Sequence, residues 1–109
     1  MDIICRREYK KKNTKANMFR NTNQWKQKRE LIKKRDQYLC KVCVSEKYDT
    51  EYRYTYNELE VHHIVPIEEN YLLRLDSKNL ITLCRMHHNM AEQGKISREE
   101  LIEMIEEEG

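Results

Sequence analysis

The sequence contains little glycine, little proline and no long apolar segment. Its 109 residues include 2 glycines and 1 proline, too few for a low-complexity linker protein. No stretch approaches the roughly 20 apolar residues that cross a membrane. The N-terminal segment MDIICRREYKKK also has no apolar run of signal-peptide length. We therefore expect a protein that contacts no membrane and is kept in a reducing cytosol.

Apolar residues are scarce as well, at 39% of the chain against 37% charged residues. A chain of 109 residues suits one domain with a modest core. A staple such as a bound metal would help so polar a chain to fold. In a reducing compartment, 4 cysteines indicate metal binding or chemistry before disulfides.

The net charge of +2 conceals an asymmetry between the two halves of the chain. Residues 1–47 carry 15 Lys/Arg and 5 Asp/Glu, a balance of +10, whereas residues 48–109 carry 6 and 14, a balance of −8. A basic half predicts contact with a polyanion such as nucleic acid. A solvated, charged helix face would give the same composition, and charge alone leaves both interpretations open.

The N-terminal half is predicted to contain an arm and a helix. Residues 1–20 are basic and polar without an apolar period, which predicts a flexible arm before a single domain spanning residues 21–109. Residues 24–38 have a thin apolar stripe at helical spacing. The side chains expected to face inward from this helix are Trp25, Leu31 and Ile32.

Alternating residues predict two strands in the middle of the chain. Within residues 44–58, tyrosines recur at period two: Tyr52, Tyr54 and Tyr56. This alternation indicates a strand with one tyrosine face. Covering a small core is the favoured interpretation of that face, and stacking of nucleic-acid bases is the alternative. Residues 59–67 form the second strand candidate, which Pro66 ends or confines to an edge.

The C-terminal part combines a strand with two helices. Residues 80–84 predict a strand after a turn, and residues 85–93 predict a helix that Gly94 closes. Ser97 and Glu100 form a capping box at the start of a last helix. Three apolar residues make the narrow stripe of that helix: Leu101, Ile102 and Ile105.

The cysteines supply the clearest chemical pattern. Cys40-x-x-Cys43 and Cys84-x-x-His87 are ligand pairs separated by 40 residues, and this spacing lets each pair hold one ion from a single turn. Together they predict a closed, structural zinc site of three thiolates and one imidazole. Reduced, buried cysteines are the alternative, and His88 could replace its neighbour His87 as a ligand.

Beyond this knuckle, further polar residues follow a family pattern. The segments CKVC, VHHIVPI and DSKNLITLCRMHHN occur in this order. With these segments the sequence closely resembles the HNH endonucleases of the His-Me finger group. The resemblance extends from about Trp25 to about Gln93. The resemblance implies an α+β fold, with a ββα unit around a divalent metal and a zinc knuckle. A basic helix would precede this unit, and a C-terminal helix would follow it. We also expect a β-hairpin.

The resemblance also implies a role for each remaining polar residue. His63 takes the position of the general base, and Asn79 that of the amide that ties down a loop and orients the base. His62 and His88 take the positions of ligands to the catalytic metal. Many members have Asp-His where this chain has two histidines, and a His,His pair is a softer donor set. The catalytic ion is therefore expected to be Mg²⁺, Mn²⁺ or another divalent transition metal.

The sequence leaves two points of site geometry open. Adjacent residues of a regular strand point to opposite faces, so His62 and His63 serve one site only if the strand twists or the site straddles its edge. Glu92 follows His88 by one helical turn, on the same face. It could bind the metal directly, orient His88, or be an ordinary exposed glutamate.

These assignments predict a metal-dependent DNA endonuclease that nicks or cleaves both strands with low sequence specificity. His63 would activate water, and the metal would neutralise the phosphate and stabilise the departing 3′-oxygen. Phosphate contacts would come from basic side chains of the first half and from the start of the 85–93 helix. These are Lys26, Lys28, Arg29, Lys33, Arg35 and Arg85.

Two alternatives accompany this prediction. A non-catalytic zinc-ribbon module that binds DNA would explain the knuckle and the charge, but not His62, His63 and Asn79. A nuclease active only within a phage DNA-packaging complex, with terminase or portal partners, would share the site and differ in its partner. The expected location is the cytosol of a bacterium or of a phage-infected host, and the sequence leaves the oligomeric state open.

Overall fold

A computed structural model describes residues 14–106 of the chain as a small α+β fold. The helices are α1 (Lys15–Arg20), α2 (Asn23–Arg35), α3 (Lys41–Ser45), α4 (Arg85–Glu92) and α5 (Arg98–Glu106). The strands β1 (Leu59–His63) and β2 (Leu80–Cys84) lie between α3 and α4, with short 3₁₀ turns at Tyr71–Leu73 and Ser77–Asn79. The predicted fold class is confirmed. None of these helices combines the length and the apolar character needed to cross a membrane.

β1 and β2 form the antiparallel sheet of the described residues. Leu59 pairs with Cys84 at one end of the ladder, and His63 pairs with Leu80 at the other. β2 is buried along its whole length, and α4 begins at the residue that follows it. This succession of strand, strand and helix is the ββα unit that the resemblance implies. β1 stops at His63, so Pro66 lies beyond the end of the strand.

The two faces of β2 are covered by different sets of apolar side chains. One face packs Ile81 and Leu83 against the knuckle cysteines and α5. The other face packs Leu80 against Trp25 and Ile32 of α2 and against α1. Since successive residues of a strand point to opposite faces, a strand covered on both faces needs apolar residues on both, and four of the five residues of β2 are apolar. β2 therefore joins the knuckle side of the molecule to the N-terminal helices.

A buried ion pair fastens the end of α2 to β2. The Asp36 carboxylate accepts hydrogen bonds from the Thr82 amide and from Arg35 Nε, each at 2.9 Å. Arg35 also donates to the carbonyl oxygens of Leu80 and Ser77, at 2.7 and 2.8 Å. A buried charge destabilises a fold unless it is paired and hydrogen bonded, and here both charges are. The contacts fix the position of α2 relative to the sheet.

The predicted flexible arm is wrong over residues 15–20, which form α1. The Thr14 hydroxyl caps this helix by accepting from the Asn17 amide at 3.1 Å. Phe19 is 4% exposed and packs against Trp25, with ring centroids 5.4 Å apart. A short basic segment with one aromatic residue has no apolar period, so its sequence gave no sign of this contact. Residues 1–13, the rest of the predicted arm, lie outside the described residues.

The predicted tyrosine strand is also wrong. Between α3 and β1 the chain is an irregular loop, and Tyr52, Tyr54 and Tyr56 are 70%, 61% and 71% exposed. These side chains therefore do not cover a core, and residues 14–106 contain no β-hairpin in addition to the β1–β2 pair. Left-handed backbone conformations, at Tyr48 and Asp49 among others, break the segment into turns. The alternating tyrosines would form a strand only beside a second strand, and within residues 14–106 no strand pairs with this segment.

Two apolar residues predicted to face inward are exposed instead. Leu31 on α2 is 61% exposed, while Trp25 and Ile32, two helical turns apart, are buried. Ile102 on α5 is exposed, and Met104 takes its place in the core. Both misplaced residues directly precede or follow a buried one, and neighbours on a helix lie about 100° apart around the axis. The thin stripes left this choice undetermined by sequence.

The predicted helix ends are confirmed. Gly94 follows α4 with φ of +77°, a left-handed conformation that favours glycine. The Glu100 amide donates to Ser97 Oγ at 3.2 Å, as the capping box requires. Both signals act over a few residues, which is why the sequence alone was enough to place them.

We expect Phe19→Ala to lower the free energy of unfolding by about 3 kcal/mol, because it removes a buried ring from the N-terminal core. Urea denaturation followed by circular dichroism measures the change. The control is Met18→Ala, which truncates the neighbouring exposed side chain and should change stability by less than about 0.5 kcal/mol. Similar small effects of both substitutions would show that α1 does not pack against the domain in solution.

Candidate active site and metal centres

The knuckle residues meet as predicted. Cys40 and Cys43 lie at the start of α3, and Cys84 and His87 lie at the junction of β2 with α4. The four ligand atoms lie within 4.8 Å of one another. Cys43 Sγ is 3.9 Å from Cys84 Sγ, and His87 Nδ1 is 3.4 to 3.5 Å from the three sulfur atoms. Sulfur ligands at the corners of a zinc tetrahedron are about 3.8 Å apart, so the donor set fits this ion.

The surroundings of His87 turn its Nδ1 toward the sulfur atoms. Its Nε2 lies 2.9 Å from the Tyr48 carbonyl oxygen, to which it donates as the Nδ1-unprotonated tautomer. His87 is fully buried, so its neighbour His88 does not replace it in this cluster. Burial raises the pKa of the Cys40 and Cys43 thiols. Thiolates at this position therefore need a cation beside them.

A second cluster of possible metal ligands forms between β1 and α4. His62 of β1 and His88 of α4 have ring centroids 5.0 Å apart. Glu92, one turn along α4, places Oε1 2.9 Å from His88 Nε2. One ligand atom from each of these three residues lies within 4.8 Å of the others. The structure thus brings Glu92 beside the two predicted metal ligands.

The protonation pattern of this second cluster suits a cation. Burial, and then the nearby His88, lower the pKa of His62 to about 4, so its imidazole is neutral near pH 7. His88 Nδ1 is in contact with the Glu60 carboxylate, which accepts its proton. His88 Nε2 lies 2.9 Å from Glu92 Oε1, so each ring nitrogen of His88 faces a carboxylate. The neutral His62 imidazole and the Glu92 carboxylate are donors that a cation binds.

His63 faces a different environment from its neighbour His62. Its Nε2 donates to the Arg74 carbonyl oxygen at 3.0 Å, and its ring lies against the Trp25 ring at a centroid distance of 4.8 Å. Burial lowers the pKa of His63, so the ring is neutral near pH 7. Among residues 14–106, no group is hydrogen bonded to His63 Nδ1. That nitrogen is available to accept a proton.

Asn79 holds the loop that follows β1. Its Oδ1 accepts from the Val65 amide at 2.7 Å, and its Nδ2 donates to the carbonyl oxygens of Val65 and Leu73 at 3.1 and 3.2 Å. Its own carbonyl oxygen accepts from the Ile64 amide at 2.9 Å. Leu73 directly precedes Arg74, whose carbonyl oxygen contacts His63. The buried amide therefore ties together the loop that supports His63.

Both histidines of the first doublet border one cleft of about 980 Å³. They pair with Ile81 and Leu80 of β2 and, as strand neighbours, point to opposite faces. The other edge of β1 has no strand beside it within residues 14–106, and the cleft lies along this edge. A substrate in the cleft can therefore reach groups on both faces of β1, which is the straddling arrangement that adjacent ligand and base require.

A family model of the HNH endonucleases matches residues 39–94. This segment contains both ligand pairs, both histidine doublets and Asn79. The chain belongs to the HNH endonuclease family.

A solved HNH endonuclease supports this assignment. The crystal structure of the HNH endonuclease of the deep-sea thermophilic bacteriophage GVE2, determined with manganese ion, is similar to this chain with a TM-score of 0.65. The two sequences are 30% identical, and the match covers 83% of this chain and 91% of that chain. No curated protein matches the chain. The predicted enzyme class, a nuclease, is confirmed, and the non-catalytic zinc-ribbon alternative is set aside.

The cleft of this HNH endonuclease has a basic wall. Arg29 and Lys33, predicted to contact phosphate, lie one turn apart on α2 and line the cleft. Arg20 of α1 and Arg98 at the start of α5 line it as well, although their sequence context did not single them out. Arg98 also forms an ion pair with Glu69, its Nη1 lying 2.7 Å from the carboxylate.

The other basic residues predicted to contact phosphate do not line the cleft. Lys26 borders a separate apolar groove on the outer side of α2. Lys28 donates to Ser77 Oγ at 2.6 Å, and Arg35 is held in the ion pair that joins α2 to β2. Arg85 is exposed at the start of α4. A charged helix carries lysines and arginines all round, and packing decides which of them face a ligand.

Two features of the HNH site were missed from the sequence. Glu60 contacts His88, and its only signal is its place two residues before His62, on the same strand face. Trp25 was assigned to the core, where it lies, but its contact with His63 was not foreseen. Both contacts join segments that are far apart along the chain.

We expect Asn79→Ala to lower the free energy of unfolding by about 2 kcal/mol, because it leaves partly buried backbone groups of Val65 and Leu73 without partners. Hydrogen exchange should also show loss of protection at the Val65 amide. Asn89→Ala, at an exposed position on α4, is the control and should change stability by less than about 0.5 kcal/mol. A Val65 amide that stays protected in Asn79→Ala would contradict the loop contact.

Proposed function

We propose that the protein hydrolyses DNA phosphodiester bonds, with His63 as general base and with His62, His88 and Glu92 holding a divalent metal. One observation carries this proposal. His63, whose Nδ1 is unpaired, and the donor cluster around His62 border the same cleft. A base and a cation on either side of one phosphate are the parts that phosphodiester hydrolysis needs.

His63 would act through its Nδ1. This nitrogen accepts a proton from water, and the water oxygen bonds to phosphorus as the bond from phosphorus to the 3′-oxygen breaks. The Arg74 carbonyl oxygen, already bonded to Nε2–H, stabilises the imidazolium that forms. The departing 3′-oxygen takes a proton from solvent. The resemblance implies products with a 5′-phosphate and a 3′-hydroxyl group.

The donor set around His62 fits a divalent metal. Two imidazoles and one carboxylate converge there, a mixture that suits Mn²⁺ and other transition ions as well as or better than Mg²⁺. A cation bound there supplies charge stabilisation to the phosphate oxygens and to the leaving oxygen. Glu60 would hold His88 in the tautomer that presents Nε2. The manganese ion named with the GVE2 endonuclease supports this part of the proposal.

The Cys₃His cluster would hold a structural zinc ion. Its four ligand atoms come from the two ends of the folded unit, Cys40 and Cys43 near α2 and Cys84 and His87 at α4. A closed set of four protein ligands leaves no position for a reacting water. The zinc would therefore stabilise the fold rather than take part in the reaction.

DNA is the proposed substrate, bound through phosphate contacts. Arg20, Arg29 and Lys33 supply the basic part of the cleft lining from the N-terminal helices. Such contacts give affinity without reading bases, so we infer low sequence specificity. A phage packaging complex with terminase or portal components remains a predicted partner. Cleavage assays with and without that complex would test it.

The central test is cleavage of supercoiled plasmid by wild-type protein and by His63→Ala, with Mg²⁺, Mn²⁺, Ni²⁺ or EDTA. We expect metal-dependent cleavage by the wild type and a rate on the order of 10²- to 10⁴-fold lower for His63→Ala. Gel electrophoresis measures nicked and linear products over time. Cleavage by His63→Ala at the wild-type rate would show that another group is the base.

The second histidine doublet supplies matched controls for that test. His88→Ala should lose metal-dependent cleavage but keep one zinc ion per chain and a cooperative thermal transition. His87→Ala should lose the zinc ion together with that transition, because its ligand position is fully buried. Zinc content follows from elemental analysis of the purified variants. Loss of zinc in His88→Ala with its retention in His87→Ala would reverse the two assignments.

We also expect the double variant Arg29→Ala/Lys33→Ala to weaken DNA binding and to flatten its salt dependence. Each phosphate contact contributes roughly 0.9 to the slope of log K against log salt, so the slope should fall by about 2. Fluorescence anisotropy of labelled duplex DNA without added Mg²⁺, Mn²⁺ or Ni²⁺, at several salt concentrations, measures this slope.

The charge-matched control is Lys26→Ala/Lys34→Ala, which removes two positive charges from the outer groove of α2. Its slope should change much less than that of the cleft variant. An equal change in both double variants would mean that net charge, and not the cleft wall, determines DNA affinity.

A further inference from the structure

We propose that Trp25 is a positioning residue for His63, and that its indole face holds the imidazole in the orientation in which it acts as base. This inference rests on the proposed role of His63. It extends the site beyond residues 39–94, the segment that the family model matches, to the N-terminal helices.

The position of Trp25 is fixed on both sides. The Thr22 hydroxyl accepts from the Trp25 amide at 3.1 Å and donates to the Phe19 carbonyl oxygen at 2.7 Å, so one side chain joins the end of α1 to the start of α2. At the other end of α2, the Asp36 carboxylate holds the Thr82 amide of β2. Trp25 is 4% exposed within this frame. Its ring therefore has little freedom to move away from the sheet.

The aromatic rings around His63 restrict the tilt of its imidazole. The Trp25 ring lies 4.8 Å from it at an interplanar angle of 32°, a tilted ring contact. Phe19 approaches the imidazole from another direction, at 6.2 Å and 72°, as an edge contact. A flat aromatic surface against the imidazole resists tilting of its plane, which a hydrogen bond alone permits.

The Arg74 carbonyl oxygen restricts the remaining motion. A ring flip about the Cβ–Cγ bond would take Nε2 away from this acceptor, so the 3.0 Å contact selects one flip state. The ring contact and the hydrogen bond therefore act on different rotations of the same side chain. Together they restrain the imidazole at the border of the cleft. A base displaced by about 1 Å can lose roughly 10²-fold in rate, so restraint of this kind has a measurable effect.

A role in packing alone makes a different prediction from a role in positioning. Packing requires a large apolar side chain, which leucine or methionine also provides in part. Positioning requires a flat ring, which phenylalanine retains. Substitutions of Trp25 by these three residues therefore separate the two roles.

The experiment measures single-turnover cleavage of a labelled duplex by Trp25→Phe, Trp25→Leu and Trp25→Met, with enzyme in excess and Mn²⁺ present. Affinity for the same duplex is measured separately without added Mn²⁺ or other catalytic metal. We expect Trp25→Leu and Trp25→Met to cleave roughly 10- to 100-fold more slowly at unchanged affinity. Trp25→Phe should stay within about 3-fold of the wild-type rate, because it restores a planar surface. Two aliphatic variants are used so that one that fails to fold does not end the test.

Ile32→Ala is the matched control. Ile32 is buried on the same helix, two turns from Trp25, and packs in the same apolar cluster without an aromatic contact to His63. This variant should lose stability but keep the wild-type rate at a temperature where it is folded. Equal rates for the phenylalanine and aliphatic variants, or an equally slow Ile32→Ala, would overturn the proposal.

A second measurement needs no substitution in the core. The chain contains 1 tryptophan, so its fluorescence reports on Trp25 alone. His63→Ala, which removes the adjacent imidazole, should change the emission intensity, and identical emission would overturn the contact. A wild-type protein that cleaves no DNA with any metal would instead refute the proposed function, and the fluorescence result would still stand on its own.

Discussion

The convergence of three thiols and one imidazole at the start of α4 is the constraint on which the rest of the site depends. His87 can reach the cysteines only if α4 leaves β2 in one orientation. His88 follows 100° further round the helix, and that orientation turns it toward β1. Glu92, one turn later, lies on the same side. The Cys₃His cluster, which contains no reacting group, thus determines the positions of the candidate catalytic ligands. It also explains why the adjacent residues His87 and His88 have different surroundings.

The free edge of β1 lets the two histidines of the first doublet border one cleft. Strand neighbours point to opposite faces, so His62 and His63 meet different groups. His62 lies with His88 and Glu60 on one side, and His63 lies with Trp25 and the loop held by Asn79 on the other. Since no strand covers this edge within the described part of the chain, one substrate can touch both sides. If β1 had a paired strand on each edge, those strands would prevent one substrate from reaching both His62 and His63.

The N-terminal helices complete a site whose candidate ligands and candidate base all come from the later part of the chain. They supply the basic wall and the aromatic surface beside His63, and a buried ion pair at Asp36 fixes them to β2. This arrangement gives the charge asymmetry of the sequence a physical reason. The basic half lines one side of the cleft, and the acidic half contributes the carboxylates near His88. Only part of the positive charge serves the cleft, because Arg35 is used for packing and Lys26 lies on the outer side.

Sequence alone determined the features that depend on short spacing. These include the ligand pairs of the knuckle, the buried strand β2, the capping box at Ser97 and the left-handed turn at Gly94. Family resemblance then singled out both histidine doublets and Asn79. Tertiary structure decided the features that join distant segments. It placed Glu60 against His88, Trp25 against His63 and Phe19 in the core, and it left the tyrosine segment as an exposed loop. Local patterns report which conformations the backbone favours, whereas these contacts depend on which surfaces meet when helices pack on the sheet. Alternating tyrosines and a basic arm carry no information about such partners, so only the folded chain could assign them.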